Sequence, residues 1–311
     1  MSGPTSQRFL DAVRVAEVPS SADGIRSFEA MPQYVPWPKA YGGDTAAQAV
    51  AAASLTVEGD RTAHSLHAYF LSPVEIGSPV RIDVRRTRDG RSFSMREISV
   101  WQSGKKCLSA AMSFATTPGG DHFPPMASFD VPAPDDLPSS ADALDRTADD
   151  DATDYWASGR SFDMRHVEPA LYDRGDPARA RTQSLWVRSF DALPHDVASH
   201  PAALTYVCDY TILEAALRLR GLHWRSVGLT TASLDHAMWF HRPLDVSRWF
   251  LYTQEALSVQ DDRALVRGSF HQDGRLVASV AQEGLVRWNA PTTRHASEQP
   301  GSAAHEGRDQ R

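Results

Sequence analysis

The chain repeats itself at a fixed distance, and that repeat limits its fold more than any other feature. His64-Ser65-Leu66-His67-Ala68-Tyr69-Phe70-Leu71-Ser72-Pro73 is answered by Ser233-Leu234-Asp235-His236-Ala237-Met238-Trp239-Phe240-His241-Arg242-Pro243, with Pro73 and Pro243 170 positions apart. Gln102-Ser103-Gly104-Lys105 and Gln272-Asp273-Gly274-Arg275 stand at the same separation. Two patterns in the same order and at the same offset mean one unit present twice. A chain of 311 residues has room for two units, each with its own core.

Each unit reads as a helix followed by antiparallel strands. In the first, Tyr41-Gly42-Gly43-Asp44 leads into the alanine-rich run Thr45–Leu55, with Asp44 as the cap. Strand patterns follow over Ala63–Leu71, Pro79–Thr87, Ser92–Trp101 and Lys106–Ala115. Within Pro79–Thr87, Val80, Ile82 and Val84 alternate with Arg81, Asp83 and Arg85, and Asp89-Gly90 makes the next turn. The second unit has strands at Phe162–Val167 and Gln183–Phe190, then a helix over Ala203–Arg220 stopped by Gly221. Strands at Thr230–His241, Trp249–Ser258, Arg263–Phe270 and Leu276–Val286 complete it. The expected units are 15–118 and 158–290, joined by a Pro/Asp/Ser-rich surface linker, 119–157, with a disordered tail at 291–311. Residues 1–25, being polar, are expected to be peripheral.

Composition removes several classes of function. A net charge of −7, from 32 basic and 39 acidic residues, argues against nucleic acid as a partner. Two cysteines, Cys107 and Cys208, are too few for a disulfide framework or a zinc site. There is no signal-type apolar segment at the start and no run approaching the roughly 18 apolar residues of a membrane span. A soluble, reduced, cytoplasmic protein without a membrane partner is expected.

Three polar residues interrupt apolar faces. Asp209 shares a helical face with Ile212, Leu213 and Ala216, where an unpaired carboxylate is costly. It is either a capping or hydrogen-bonded structural Asp or a residue with a task. Gln282 continues the face of Leu276, Ala278 and Val280 on the last strand, and is either an amide tying strands together or part of a site. Ser233 opens its strand pattern and alone is a weak signal, since such serines usually bond backbone. No Gly-x-Ser-x-Gly elbow is present, and Cys208 reads as packed core. His67, His236 and His241 read as packing or strand-end groups, and no histidine pair has the context of a metal site. Arg81, Arg85, Arg86, Arg88 and Arg91 form the one dense basic stretch, a solvated hairpin face or a phosphate contact.

A helix wrapped by an antiparallel sheet and repeated in tandem is the double hotdog arrangement, an α+β fold. From about residue 15 to 289 the chain resembles the acyl-CoA thioesterase II (TesB-like) family. The resemblance is carried by Gly42-Gly43, His64 to Leu71, Arg88-Asp89-Gly90-Arg91-Ser92-Phe93-Ser94, Ala133-Pro134-Asp135-Asp136-Leu137-Pro138, Ser233 to Pro243, and Val277 to Gly284. It implies hydrolysis of fatty acyl-CoA to free fatty acid and CoA, with no cofactor and no metal. In this family an Asp, a hydroxyl residue and a Gln jointly orient a water, and these positions fall on Asp209, Ser233 and Gln282. Gly43 and His64 match substrate-binding positions, and a homodimer of fused pairs is expected. Two residues depart from the pattern: Ser233 where Thr is usual, and Asp44 where Gln is usual after Gly-Gly. The alternatives are an acyl-CoA-binding protein without catalysis, and an enoyl-CoA hydratase, which would want Asp and His together on one helix.

Overall fold

Alanine shapes the centre of the first unit. The computed structural model describes residues 5–20, 22–116, 123, 126–144 and 150–290. Helix α1 spans Gln7–Val13, and α2 spans Gly42–Ser54, in which every residue from Gly43 to Ser54 is buried. A helix with side chains this short can be approached closely from several sides, so α2 lies inside the curve of the sheet and packs along a second helix, α5 (Ser199–Thr211). Two single-turn helices lie between them, α3 (Ser140–Ala143) and α4 (Asp151–Asp154), and α6 (Glu214–Arg220) follows α5.

The first unit's strands are β1 (Ala16–Val18), β2 (Ile25–Ala30), β3 (Thr62–Phe70), β4 (Val80–Asp89), β5 (Phe93–Gln102) and β6 (Lys105–Ala115). The second unit supplies β7 (Phe162–His166), β8 (Thr182–Ser189), β9 (Leu229–Ser233), β10 (Asp235–Phe240), β11 (Phe250–Gln260), β12 (Arg263–Gln272) and β13 (Arg275–Trp288). They form one sheet, β1-β2-β4-β5-β6-β3-β10-β13-β12-β11-β8-β7, with β9 paired to β13 beside this path. Outward from the β3/β10 seam the order is β6-β5-β4-β2 on one side and β13-β12-β11-β8 on the other, the duplication expressed as topology. The seam is antiparallel, from Asp235 opposite Tyr69 to Trp239 opposite Ser65. This is the tandem double hotdog.

Four local expectations are corrected. Asp44 does not cap α2: the N-cap is Tyr41, without a side-chain cap, and Asp44 lies in the first helical turn, fully buried. The helix expected over Ala203–Arg220 starts earlier and breaks after Thr211. There the Thr211 carbonyl accepts from Gln183 Nε2 at 3.4 Å and its hydroxyl from Gln254 Nε2 at 2.6 Å, side chains that compete with the helical ladder. The strand expected over Thr230–His241 is two strands, divided at Leu234.

The fourth correction concerns residues 1–25, within which α1 is not peripheral. Phe9 of α1 is fully buried, its ring 5.4 Å from Phe162 and 5.2 Å from Tyr206. Ser6 Oγ donates to the Ser161 carbonyl at 2.7 Å, so the residue before α1 is fastened to the second unit. One apolar stripe, Phe9 with Ala12, was enough to dock one face of a helix in an otherwise polar stretch. Within the expected linker, Tyr155 and Trp156 are buried beside Trp37 and Tyr172. The expected disordered tail, 291–311, lies outside the described residues. No helix among the described residues is long and apolar enough to cross a membrane.

Candidate active site

Asp209, Ser233 and Gln282 come from one helix and two strands, and their side chains meet. Asp209 is in the last turn of α5 and is partly buried. Ser233 Oγ donates to Asp209 Oδ1 at 2.6 Å, and Gln282 Nε2 donates to the same oxygen at 2.5 Å. Gln282 Nε2 also lies 3.1 Å from Ser233 Oγ. Oδ1 thus meets a donor at each of its two lone pairs, which leaves Oδ2 as the oxygen not engaged by these two side chains. Gln282 itself is fully buried on the inward face of β13.

A one-residue irregularity brings Ser233 to this face. On β13, Gly284 to Ala281 is three steps; the same interval on the facing strand runs from Ser233 to Ala237, four steps. The extra residue is a bulge at the β9/β10 division, where Leu234 N–H bonds the Glu283 carbonyl and Asp235 Oδ1 accepts from Glu283 N–H. In an unbroken strand, residues three apart point to opposite faces. With the bulge, Ser233 and His236 both reach Gln282: His236 Nδ1 lies 2.8 Å from Gln282 Oε1, and His236 is 1% exposed.

The first unit contributes the start of α2. A Cβ built on Gly42 would lie 2.8 Å from Asp209 Oδ2 and 3.3 Å from the Phe70 ring, so backbone at the helix start stands directly against the carboxylate. One built on Gly43 would lie 2.6 Å from the Tyr206 carbonyl and from the Tyr41 ring. The Tyr41 hydroxyl donates to that carbonyl at 2.5 Å, tying α2 to α5. Burial, and then the charge of Asp209, push the Tyr41 phenol well above its usual pKa and keep it a donor.

A family model described as acyl-CoA thioesterase matches residues 161–285, and one described as the acyl-CoA thioesterase N-terminal domain matches 33–115. Acyl-CoA thioesterase 2 of Haemophilus influenzae is 31% identical over 256 residues, covering 80% of this chain and 88% of its own. The chain belongs to the acyl-CoA thioesterase II, or TesB-like, family. Human acyl-coenzyme A thioesterase 8 is 30% identical over 265 residues, 82% of each chain. The crystal structure of an acyl-CoA thioesterase II, TesB2, from Mycobacterium marinum superposes with a TM-score of 0.71 at 31% identity, covering 94% of this chain and 99% of that one.

Against this family's pattern the remaining candidates can be placed. Gly43 lies at the α2 start, next to the residue that faces Asp209. His64 is not brought to the triad; it is exposed, with Nδ1 3.4 Å from Ser113 Oγ and its ring 5.6 Å from Phe93. Cys208 is fully buried, and burial pushes its thiol far above the usual range, which leaves no thiolate for attack. His200 falls within α5, because the helix starts before the expected Ala203. It sits nine residues before Asp209, about 14 Å along the axis, and bonds His195 at 3.2 Å. That spacing does not form an Asp–His pair. Among the described residues no group of three or more His, Cys, Asp or Glu side chains could hold a metal ion.

Asp44 is the family departure with a measurable consequence. Its carboxylate accepts from Gln33 N–H at 2.8 Å and from Gln33 Nε2 at 3.0 Å, yet burial outweighs both bonds and raises its pKa from 3.8 to about 6. A carboxyl whose folded pKa is raised favours the fold while protonated and loses that contribution as pH climbs from about 4 to about 6. The loss is at most about 3 kcal/mol, from about 1.4 kcal/mol per pKa unit. In urea unfolding, Asp44→Asn is expected to gain on the wild type across that window, because Asn has no such titration. A stability difference that stays constant from about pH 4 to pH 7 would show that Asp44 is not held neutral.

Proposed function

We propose that the chain hydrolyses fatty acyl-CoA to free fatty acid and CoA, with water as the nucleophile and Asp209 as general base. The observation that carries the reading is Asp209 itself. One oxygen is fixed by Ser233 and Gln282, and the other faces the start of α2. Asp209 takes a proton from water as its oxygen bonds to the thioester carbonyl carbon. Charge then developing on the carbonyl oxygen falls to backbone N–H groups at the α2 start, around Gly42 and Gly43, where the helix dipole is positive. The C–S bond breaks, and the CoA thiolate leaves with the proton held by Asp209. The names of the relatives support the substrate class.

The same reading keeps 15–118 and 158–290 as the repeat units, a cytoplasmic setting, and a homodimer of fused pairs. Exposed Tyr69, Leu71 and Trp239 on β3 and β10, and in the turn after β3, supply apolar surface for association.

The test is release of free thiol from acyl-CoAs of graded chain length. Wild type is expected to turn over, and Gln282→Ala to lose at least about tenfold in kcat through lost positioning. Binding of acyl-CoA without thiol release would end the proposal in favour of a binding protein. Addition of water across an enoyl-CoA would favour a hydratase.

A further inference from the structure

The orientation of Gln282 is decided from behind. A side-chain amide can sit two ways, and only one presents Nε2 to Asp209 and Ser233; the other turns Oε1 toward an Asp209 oxygen that only accepts and a Ser233 hydroxyl whose one proton is already given to Asp209. We propose that His236 is the positioning residue that holds this amide in its working orientation, by donating Nδ1–H to Gln282 Oε1. The inference rests on the active-site reading above and adds a residue to it.

The proton can be assigned by elimination. Gln282 Oε1 is only an acceptor, so at 2.8 Å the facing ring nitrogen must carry hydrogen. His236 Nε2 is buried and has no partner among the described residues. A proton there would leave a buried donor unpaired and set two lone pairs against each other at Nδ1. Burial also lowers the His236 pKa and favours the neutral ring, so one proton, on Nδ1, satisfies the geometry. Leaving Nε2 without a partner is unfavourable.

Catalysis makes this contact matter most when the other restraint weakens. Asp209 holds the amide most strongly while it is an ionised acceptor, because a charged acceptor makes the stronger hydrogen bond. Once Asp209 has taken the proton from water, its attraction for Gln282 Nε2 falls, and His236 then holds the amide in register until the proton passes to the leaving group. His236 is buried behind Gln282 and acts through it.

The experiment is steady-state thiol release by wild type, His236→Leu, His236→Asn, Gln282→Ala and the double variant His236→Leu with Gln282→Ala, with melting temperatures as a check on folding. His236→Leu is expected to lower kcat by about tenfold to a hundredfold with little change in KM. Asn places an N–H near the position of Nδ1, and His236→Asn is expected to restore most of the loss. In the Gln282→Ala background His236→Leu is expected to cost less than about twofold, because the amide it positions is gone. Equal losses in both backgrounds, or full turnover by His236→Leu while Gln282→Ala is impaired, overturn this inference alone. Full turnover by Gln282→Ala overturns the active-site reading and this inference with it. Nitrogen NMR of labelled histidine in the wild-type protein gives a readout that needs no variant. A protonated Nδ1 is expected, and a ring protonated on Nε2 instead overturns the proposal.

Discussion

Asp209→Asn is expected to lower kcat for thioester hydrolysis by about a hundredfold to ten-thousandfold, the range a positioned general base contributes, and to leave KM within a few-fold of wild type. The substitution keeps the shape of the side chain. Its amide oxygen can still accept from Ser233 and Gln282, which reach Oδ1 at 2.6 and 2.5 Å. What disappears is the ability to take a proton. Stability should change little, because Asp209 is partly buried and the neutral amide has less to lose by leaving water. A large fall in kcat with an unchanged melting temperature therefore reports basicity and not collapse of the network. Because the three residues act as a unit, adding Gln282→Ala to Asp209→Asn should cost far less than Gln282→Ala costs alone. Thiol release near the wild-type rate from Asp209→Asn would remove Asp209 as the base. Its neighbour Cys208 could not take its place, since it is buried and held as the thiol.

Much of the fold was legible because it is periodic. Apolar alternation and the Asp-Gly turns mark the strands, and the repeated offset of 170 makes the second unit a check on the first. The site was legible only where a polar residue stood out on an apolar face. Gln282 shows against Ala278 and Val280, and Asp209 against Ile212, so both could be suspected without any relative. Ser233 could not, because a serine beginning a strand is ordinary; the family resemblance singled it out. In the sequence His236 reads as packing or a strand-end group, and nothing in the pattern ties it to Ser233. If Thr230–His241 is one strand, Ser233 and His236 point to opposite faces, and the bulge that reverses this has no composition of its own. No glycine or proline marks Leu234-Asp235. Its cause is tertiary: among the described residues β9 pairs with β13 alone, whereas β10 lies between β13 and β3. The start of α2 was equally hidden. Gly42-Gly43 reads as a helix start in any sequence, and that it faces a carboxylate from the other unit appears only when α2 and α5 pack side by side.

Those two glycines give a prediction in which neighbouring substitutions fail differently. Gly42→Ala is expected to lower kcat by about a hundredfold, the cost of displacing reacting groups by roughly an ångström. Its Cβ would lie 2.8 Å from Asp209 Oδ2, too close for the carboxylate to stay on Ser233 and Gln282 while the helix stays in place. The atom it meets ends a side chain, so the conflict is relieved by moving Asp209, and the fold survives. Alanine is also the better helix former by up to about 1 kcal/mol, which offsets part of any strain. Gly43→Ala meets a different obstacle. Its Cβ would fall 2.6 Å from the backbone carbonyl of Tyr206, which cannot swing aside, and equally close to the Tyr41 phenol that bonds that carbonyl. Relief requires α2 and α5 to separate, at a cost of about 1–3 kcal/mol to the fold. Melting temperature and thiol release measured on both variants distinguish the two effects: Gly42→Ala should lose activity with stability nearly intact, and Gly43→Ala should lose both. A fully active Gly42→Ala would mean that the α2 start does not stand where the thioester carbonyl must bind, and the source of oxyanion stabilisation would have to be sought on another element.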